Sequence, residues 1–228
     1  MPEMKKIGTG RTAEVFLTAD GRALKLFYEG YPESGVEYEL RNALWAQEAE
    51  LPVPQCFGRY DMDDRFGILY ECVTGESLLG YLLRTDDVQV TVGIMVRLHK
   101  QILEKHLPQA MDIRLWLQRE TGGSLDIETL PDGDTLLHGD FHPDNIQIDG
   151  DKLWVLDWMN LCRGDKLYDI ARTYCLLAEA QLPPDLDEAT AQGMLQLRTH
   201  MAQAYLDGMG VTEAQLSDWL PIARKSIF

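Results

Sequence analysis

Strand-type and helix-type patterning are segregated along this chain, and that segregation constrains the fold more than any other feature. The first third reads mainly as strands, and Ala13, Val15 and Leu17 share one face of residues 11–18. Asp20-Gly21 marks a hairpin turn before a second apolar run at 23–27. Residues 59–60 and 66–73 read as paired strands around the polar turn 61–65. One helix interrupts them, with Val36, Leu40, Ala43 and Leu44 at helical spacing. Ser34 with Glu37 three residues later forms a candidate capping box for it, and Leu51-Pro52-Val53-Pro54 stops it. Helical spacing takes over after Thr74-Gly75: a short helix capped by Ser77 and running to Arg84, a long one from Val88, another around 115–119. Residues 121–134 read mostly as loop. Leu136-Leu137 is a short strand, and 146–148 with 153–156 make a tight hairpin about Asp149-Gly150. Beyond Asp169 the chain is helical, with breaks at Pro183-Pro184 and Pro221. The expected class is α+β, with a small β-rich N-terminal lobe over 1–73 and a larger, mostly helical C-terminal lobe over 74–228.

Composition narrows the partners. The 228 residues hold 21 Lys+Arg against 37 Asp+Glu, a formal charge of −16. Duplex nucleic acid and anionic lipid both need a cationic surface, so neither is an expected partner. No apolar run reaches the roughly 18 residues of a membrane span, and no leader pattern follows Lys5 and Lys6. Cys56, Cys72, Cys162 and Cys175 form no C-x-x-C pair, so zinc chemistry lacks support. Reduced, buried thiols in a cytoplasmic chain are expected.

The chemistry concentrates in His138-Gly139-Asp140-Phe141-His142-Pro143-Asp144-Asn145. Asp140 and Asn145 stand between a strand and a hairpin that returns the chain to Asp157. Three oxygen-bearing side chains are thereby directed to one end of a small sheet. Hard cations such as magnesium prefer oxygen ligands. An Asn and an Asp can hold such a cation against phosphate oxygens, while a further Asp accepts a hydroxyl proton, as in phosphoryl transfer. Two other features fit. Gly8 and Gly10 lie where strand-like sequence follows, unlike a dinucleotide-binding turn, which opens a helix; backbone amides there could approach phosphates. Lys25 sits inside the apolar run Ala23-Leu24-Lys25-Leu26-Phe27, where an unpaired charge is costly.

His138-Gly139-Asp140 with Asn145 and Asp157, and the stretch from Arg163 to Arg172, resemble the aminoglycoside phosphotransferase and choline kinase superfamily, a branch of the protein-kinase-like fold. Gly139 in place of Arg and Asp157-Trp158 in place of Asp-Phe-Gly are typical of its small-molecule branch. The resemblance implies a bilobal kinase-like fold and an ATP- and Mg2+-dependent phosphotransferase acting on a small-molecule hydroxyl. It implies Asp140 as catalytic base, Asn145 and Asp157 as metal ligands, and the Gly8/Gly10 loop over the phosphates. Lys25 would contact the α- and β-phosphates and be held by a helix Glu. The Glu71 carbonyl and Val73 amide would meet the adenine edge. With Val36 at about 0° on the helix, Glu39 falls near −60° and Glu37 near 100°, so both flank the apolar stripe. Glu37 already has the capping role, and family spacing to the Pro52/Pro54 segment favours Glu39.

Acids at Asp185, Asp187, Glu188, Asp207, Glu213 and Asp218 occupy the region where this family holds amino sugars or a quaternary amine, which admits a cationic acceptor. Surface solvation explains the same acids. The competing readings are a nucleotide-binding pseudokinase or regulatory module, a protein kinase, which would need an Ala-Pro-Glu ending absent between Asp157 and Asp169, and a metal-dependent phosphoesterase built on His138, Asp140 and His142.

Overall fold

A computed structural model describes residues 4–126, 128, 130–182 and 185–227. In chain order its strands and helices begin with β1 (Lys5–Thr9), β2 (Ala13–Leu17), β3 (Arg22–Phe27), α1 (Glu33–Glu48), β4 (Cys56–Arg59), β5 (Gly67–Glu71) and β6 (Glu76–Ser77). Then come α2 (Leu78–Thr85), α3 (Val88–Leu103), α4 (Ile113–Glu120), β7 (Thr135–Leu137), β8 (Ile146–Asp149) and β9 (Lys152–Val155). The order closes with β10 (Cys162–Gly164), α5 (Lys166–Glu179), α6 (Glu188–Met209) and α7 (Leu220–Ile227). The class is α+β, as the sequence predicts. The break expected at Pro183-Pro184 lies outside the described residues.

Two compact units form, and their division differs from a single cut after residue 73. The first joins the chain up to Ser77 with Ile146–Met159; the second joins Leu78–Asn145 with the chain from Asn160 onward. The reason is a strand pairing too short to see in sequence: β6 sets Glu76 opposite Ile148 and Ser77 opposite Gln147, drawing the β8–β9 hairpin into the first unit.

In the first unit, five strands run in the order β1-β2-β3-β5-β4, each antiparallel to its neighbours. The β2–β3 register puts Val15 opposite Lys25. Helix α1 packs on β4 and β5, and Val36 and Ala43 join Ala13, Phe27, Cys56 and Ile68 in an apolar core. Burial of this kind supplies about 25 cal/mol per Å² of apolar surface and dominates the stability of the unit. The buried face of α1 differs from the stripe read in sequence. Leu44 is exposed, whereas Glu39, Asn42 and Ala46 are buried. The capping box does not form either: Pro32 precedes the helix without a side-chain cap, and Glu37 bonds Arg59 instead.

In the second unit, α6 packs on α3 and α5, and α7 packs on α5. Aspartates start the helices: Asp87, Asp112, Asp165 and Asp187 each accept a backbone N–H of the first turn of α3, α4, α5 and α6. Such caps occupy amide donors that have no partner within the helix. Strand β7 pairs with β10, which the sequence does not announce. Among the described residues, no helix is long and apolar enough to cross a membrane.

Candidate active site

Strand β3 and helix α1 bring Lys25 and Glu39 together with Asp157 inside the first unit. Lys25 Nζ lies 2.6 Å from Glu39 Oε1 and 3.7 Å from Asp157 Oδ1. The Lys25 side chain is 18% exposed and that of Glu39 only 4%, so the pair is largely withdrawn from water. Desolvation pushes the Lys25 ammonium down, but Glu39 and Asp157 together outweigh it and hold it above its ordinary value of 10.5. Two carboxylates therefore face one ammonium. Glu39 Oε2 and Asp157 Oδ1 are buried without a hydrogen-bond partner. Buried carboxylate oxygens left in excess of their cation fit a bound metal, since a hard cation takes oxygen ligands and supplies the missing charge. Asp157 itself has φ +59°, a left-handed backbone that Asp tolerates better than most residues with a side chain.

The choice between Glu37 and Glu39 is resolved in favour of Glu39: Glu37 points to solvent and to Arg59, 2.5 Å away. Gly8 and Gly10 lie on the β1–β2 hairpin, followed by a strand. Gly8 stands opposite Val15 at a register irregularity, and the Gly10 amide donates to Ala13 O at 2.8 Å. Neither has positive φ, and a Cβ at either would meet only ordinary contacts at 3.5 Å, so the fold itself does not demand glycine there. Glu71 ends β5; its amide donates to Gln55 O, its carboxylate accepts from Gln55 N, and Val73 follows in the segment leading to β6.

The second unit holds Asp140 and Asn145 on the loop that leaves β7. Asp169, fully buried on α5, anchors that loop by accepting the amides of His138 (2.7 Å) and Gly139 (2.9 Å). Its third donor is His99 Nε2 of α3 at 3.1 Å, and His99 Nδ1 pairs with the Tyr205 hydroxyl of α6. Gly139 has φ +77°, and a Cβ there would stand 2.6 Å from Asn160 O, so only glycine fits. His138 Nδ1 accepts the Asp140 amide at 3.1 Å, which removes that nitrogen as a metal ligand and makes His138 structural.

Asp140 is surrounded by donors. His142 Nε2 is 3.6 Å from Oδ2, Arg172 Nη2 is 3.8 Å from Oδ1, and Asn145 Nδ2 is 3.5 Å from Oδ2. Burial pushes the Asp140 carboxyl up, but His142, Arg172 and His138 prevail and hold it below the ordinary 3.8. It is thus an ionised carboxylate at neutral pH, able to orient a hydroxyl and accept its proton. Asn145 Nδ2 also donates to Asp140 O at 2.9 Å, which leaves its Oδ1 as an acceptor suited to a cation.

Arg172 is a site residue the sequence reading did not single out. It is 6% exposed and donates through Nη1 to both the carbonyl and the hydroxyl of Ser226. Buried arginine beside aspartate is a recognisable signal only after the helix has been folded. Several acids read as acceptor contacts already have work: Asp187 caps α6, Asp207 accepts from Gln203, and Glu213 accepts from the Tyr174 hydroxyl. Burial pushes the Cys162 thiol well up and that of Cys175 to about 11, so neither is an activated nucleophile.

Residues 123–206, the segment carrying Asp140, Asn145, Asp157 and Asp169, match the profile of the phosphotransferase enzyme family. No curated protein matches the sequence. Among solved structures, aminoglycoside-3'-phosphotransferase of type VIII superposes over 100% of this chain and 95% of its own, with TM-score 0.67 and 16% identity. An aminoglycoside phosphotransferase of Streptomyces rimosus, solved with ADP and streptomycin, matches over 99% and 92% with TM-score 0.64 and 15% identity. A putative fructosamine-3-kinase from Haemophilus somnus matches over 99% and 91% with TM-score 0.55 and 15% identity. The chain therefore has the protein-kinase-like fold of the aminoglycoside phosphotransferases, and its residues 123–206 carry the sequence pattern of the phosphotransferase family.

Proposed function

We propose that this chain is an ATP- and Mg2+-dependent phosphotransferase that moves the γ-phosphoryl group to a hydroxyl of a small molecule, with cationic acceptors one class it admits. Lys25, held by Glu39, contacts the α- and β-phosphates. The Gly8/Gly10 hairpin covers the phosphates, and the Glu71 carbonyl and Val73 amide meet the adenine. Asn145 and Asp157 are the ligands of the divalent cation. When bound, that cation neutralises charge on the phosphoryl group in transfer. Asp140 orients the acceptor hydroxyl and takes its proton. No covalent intermediate on the protein is required, because phosphoryl transfer depends on positioning and charge neutralisation.

The observation that carries this reading is the cluster of one ammonium facing two carboxylates, with Glu39 Oε2 buried without a hydrogen-bond partner and Asp157 Oδ1, which also accepts no hydrogen bond, 3.7 Å from the ammonium. Such an arrangement is costly for a purely structural pair and sensible where a second cation is to be bound. Structural neighbours solved with ADP and streptomycin, or with AMP-PNP, Ca2+ and amicoumacin, support a nucleotide, a divalent cation and a small-molecule acceptor.

Asp140→Ala is the test. Phosphate transfer to a screened acceptor, read as a mass shift, should fall by roughly 10²–10⁴-fold. Calorimetric binding of ADP with Mg2+ should stay within about twofold, because Asp140 serves the acceptor and not the nucleotide. Retained turnover in the variant would reject the assignment, and absence of Mg2+-dependent nucleotide binding in the unmodified protein would reject the reading as a whole.

A further inference from the structure

Helix α1 carries two buried polar side chains one turn apart, and the proposed reaction accounts for only one of them. Glu39 holds Lys25. Asn42 is 0% exposed, a position where an apolar residue would be the default. Its Nδ2 donates to two consecutive backbone carbonyls, Trp158 O at 3.2 Å and Met159 O at 3.3 Å, while its Oδ1 is buried without a partner. An amide that leaves its own oxygen unsatisfied is a poor choice for stability alone.

The two carbonyls follow directly on Asp157, whose φ is +59°. A left-handed backbone at a residue with a Cβ persists only where its surroundings hold it. Here hydrogen bonds from three donors hold it. Val155 N donates to Pro52 O at 2.7 Å, Trp158 Nε1 donates to Val155 O at 3.0 Å, and Asn42 secures the two residues after the turn. Of these donors, only Asn42 belongs to the helix that also carries Glu39.

We infer that Asn42 is a positioning residue for Asp157: its amide fixes the left-handed turn, so that α1 sets the ammonium and the carboxylate of the site from one rigid element. This rests on Asp157 being a cation ligand. Groups that orient a metal ligand typically change metal affinity by about 10–100-fold when removed.

The experiment is calorimetric titration of ADP into the full chain, with Mg2+ and with EDTA, for the unmodified protein, Asn42→Leu and Asn42→Ala. The leucine variant fills the space without donors; the alanine variant crowds nothing and serves if leucine does not fold. Each is first shown to melt cooperatively. The expected result is metal-free ADP affinity within about twofold of the original, a loss of about tenfold or more in the tightening given by Mg2+, and turnover partly restored by excess Mg2+. Unchanged Mg2+ tightening in both folded variants would overturn the role of Asn42 while leaving Asp157 in place. An unmodified protein whose ADP affinity ignores Mg2+ would overturn both.

Discussion

Asp169 gathers donors from several elements onto one carboxylate: the loop amides of His138 and Gly139, and the His99 imidazole of α3, itself paired with Tyr205 of α6. Burial pushes its carboxyl up, but His99, His138 and the loop amides win and hold it below the ordinary 3.8. A carboxyl lowered by folding adds stability above its unfolded value and loses that contribution as the pH falls through the folded value. Asp169→Asn should therefore cost about 1–3 kcal/mol near neutrality, since it leaves the imidazole and amide donors poorly matched. The gap between variant and unmodified protein should hold steady above about pH 4 and narrow below it. Urea unfolding across a pH series measures this; a gap that widens toward acid would contradict it. Sequence marks Asp169 as structural but does not show its partners, because His99 lies 70 residues away. Lys25 was more legible, since a lone cation in an apolar strand must be answered by something.

Helix α1 shows how an element can be legible in period and misleading in face. With Val36 at about 0°, the buried positions Ala43, Glu39, Ala46 and Asn42 fall near −20°, −60°, −80° and −120°. The leucine stripe pulls the apparent face the other way, toward Leu44 near 80°. Two of the buried positions are polar and pair with Lys25 and with the Trp158 and Met159 carbonyls, which hydrophobic periodicity cannot register. The N-terminus misleads in the same manner. Ser34 and Glu37 have the right spacing for a capping box, yet Glu33 and Glu37 are held by Arg59 at 2.7 and 2.5 Å. Ser34→Ala should then change stability by less than about 0.5 kcal/mol, whereas removal of a working cap costs about 1. Thermal or urea melts decide, and a loss near the larger figure would restore the cap. Strand β10 escaped notice because Cys162-Arg163-Gly164 is too short to alternate, and only its pairing with β7 makes it a strand.

At the scale of the molecule, Arg172 links the loop carrying Asp140 to α7. Its guanidinium lies over the Trp116 ring, forks onto Ser226 and faces Asp140 at 3.8 Å. Lysine offers a point charge without the planar fork. Arg172→Lys should lower stability by about 1–3 kcal/mol and turnover by roughly tenfold, with the KM for nucleotide little changed. Denaturation and steady-state kinetics test both, and unaltered turnover would separate α7 from catalysis. The class of the fold and most of its strands and helices were legible, because each rests on local spacing. The grouping of segments was not, because it depends on a two-residue strand, β6, finding β8 across about 70 intervening positions. The interruption of each unit by the other has a consequence for anyone dissecting this protein. A fragment ending at Ser77 would take Lys25 and Glu39 but leave Asp157 behind. Neither half can be excised as one uninterrupted stretch, and swapping halves between relatives demands several splice points where a simple tandem protein would ask for one.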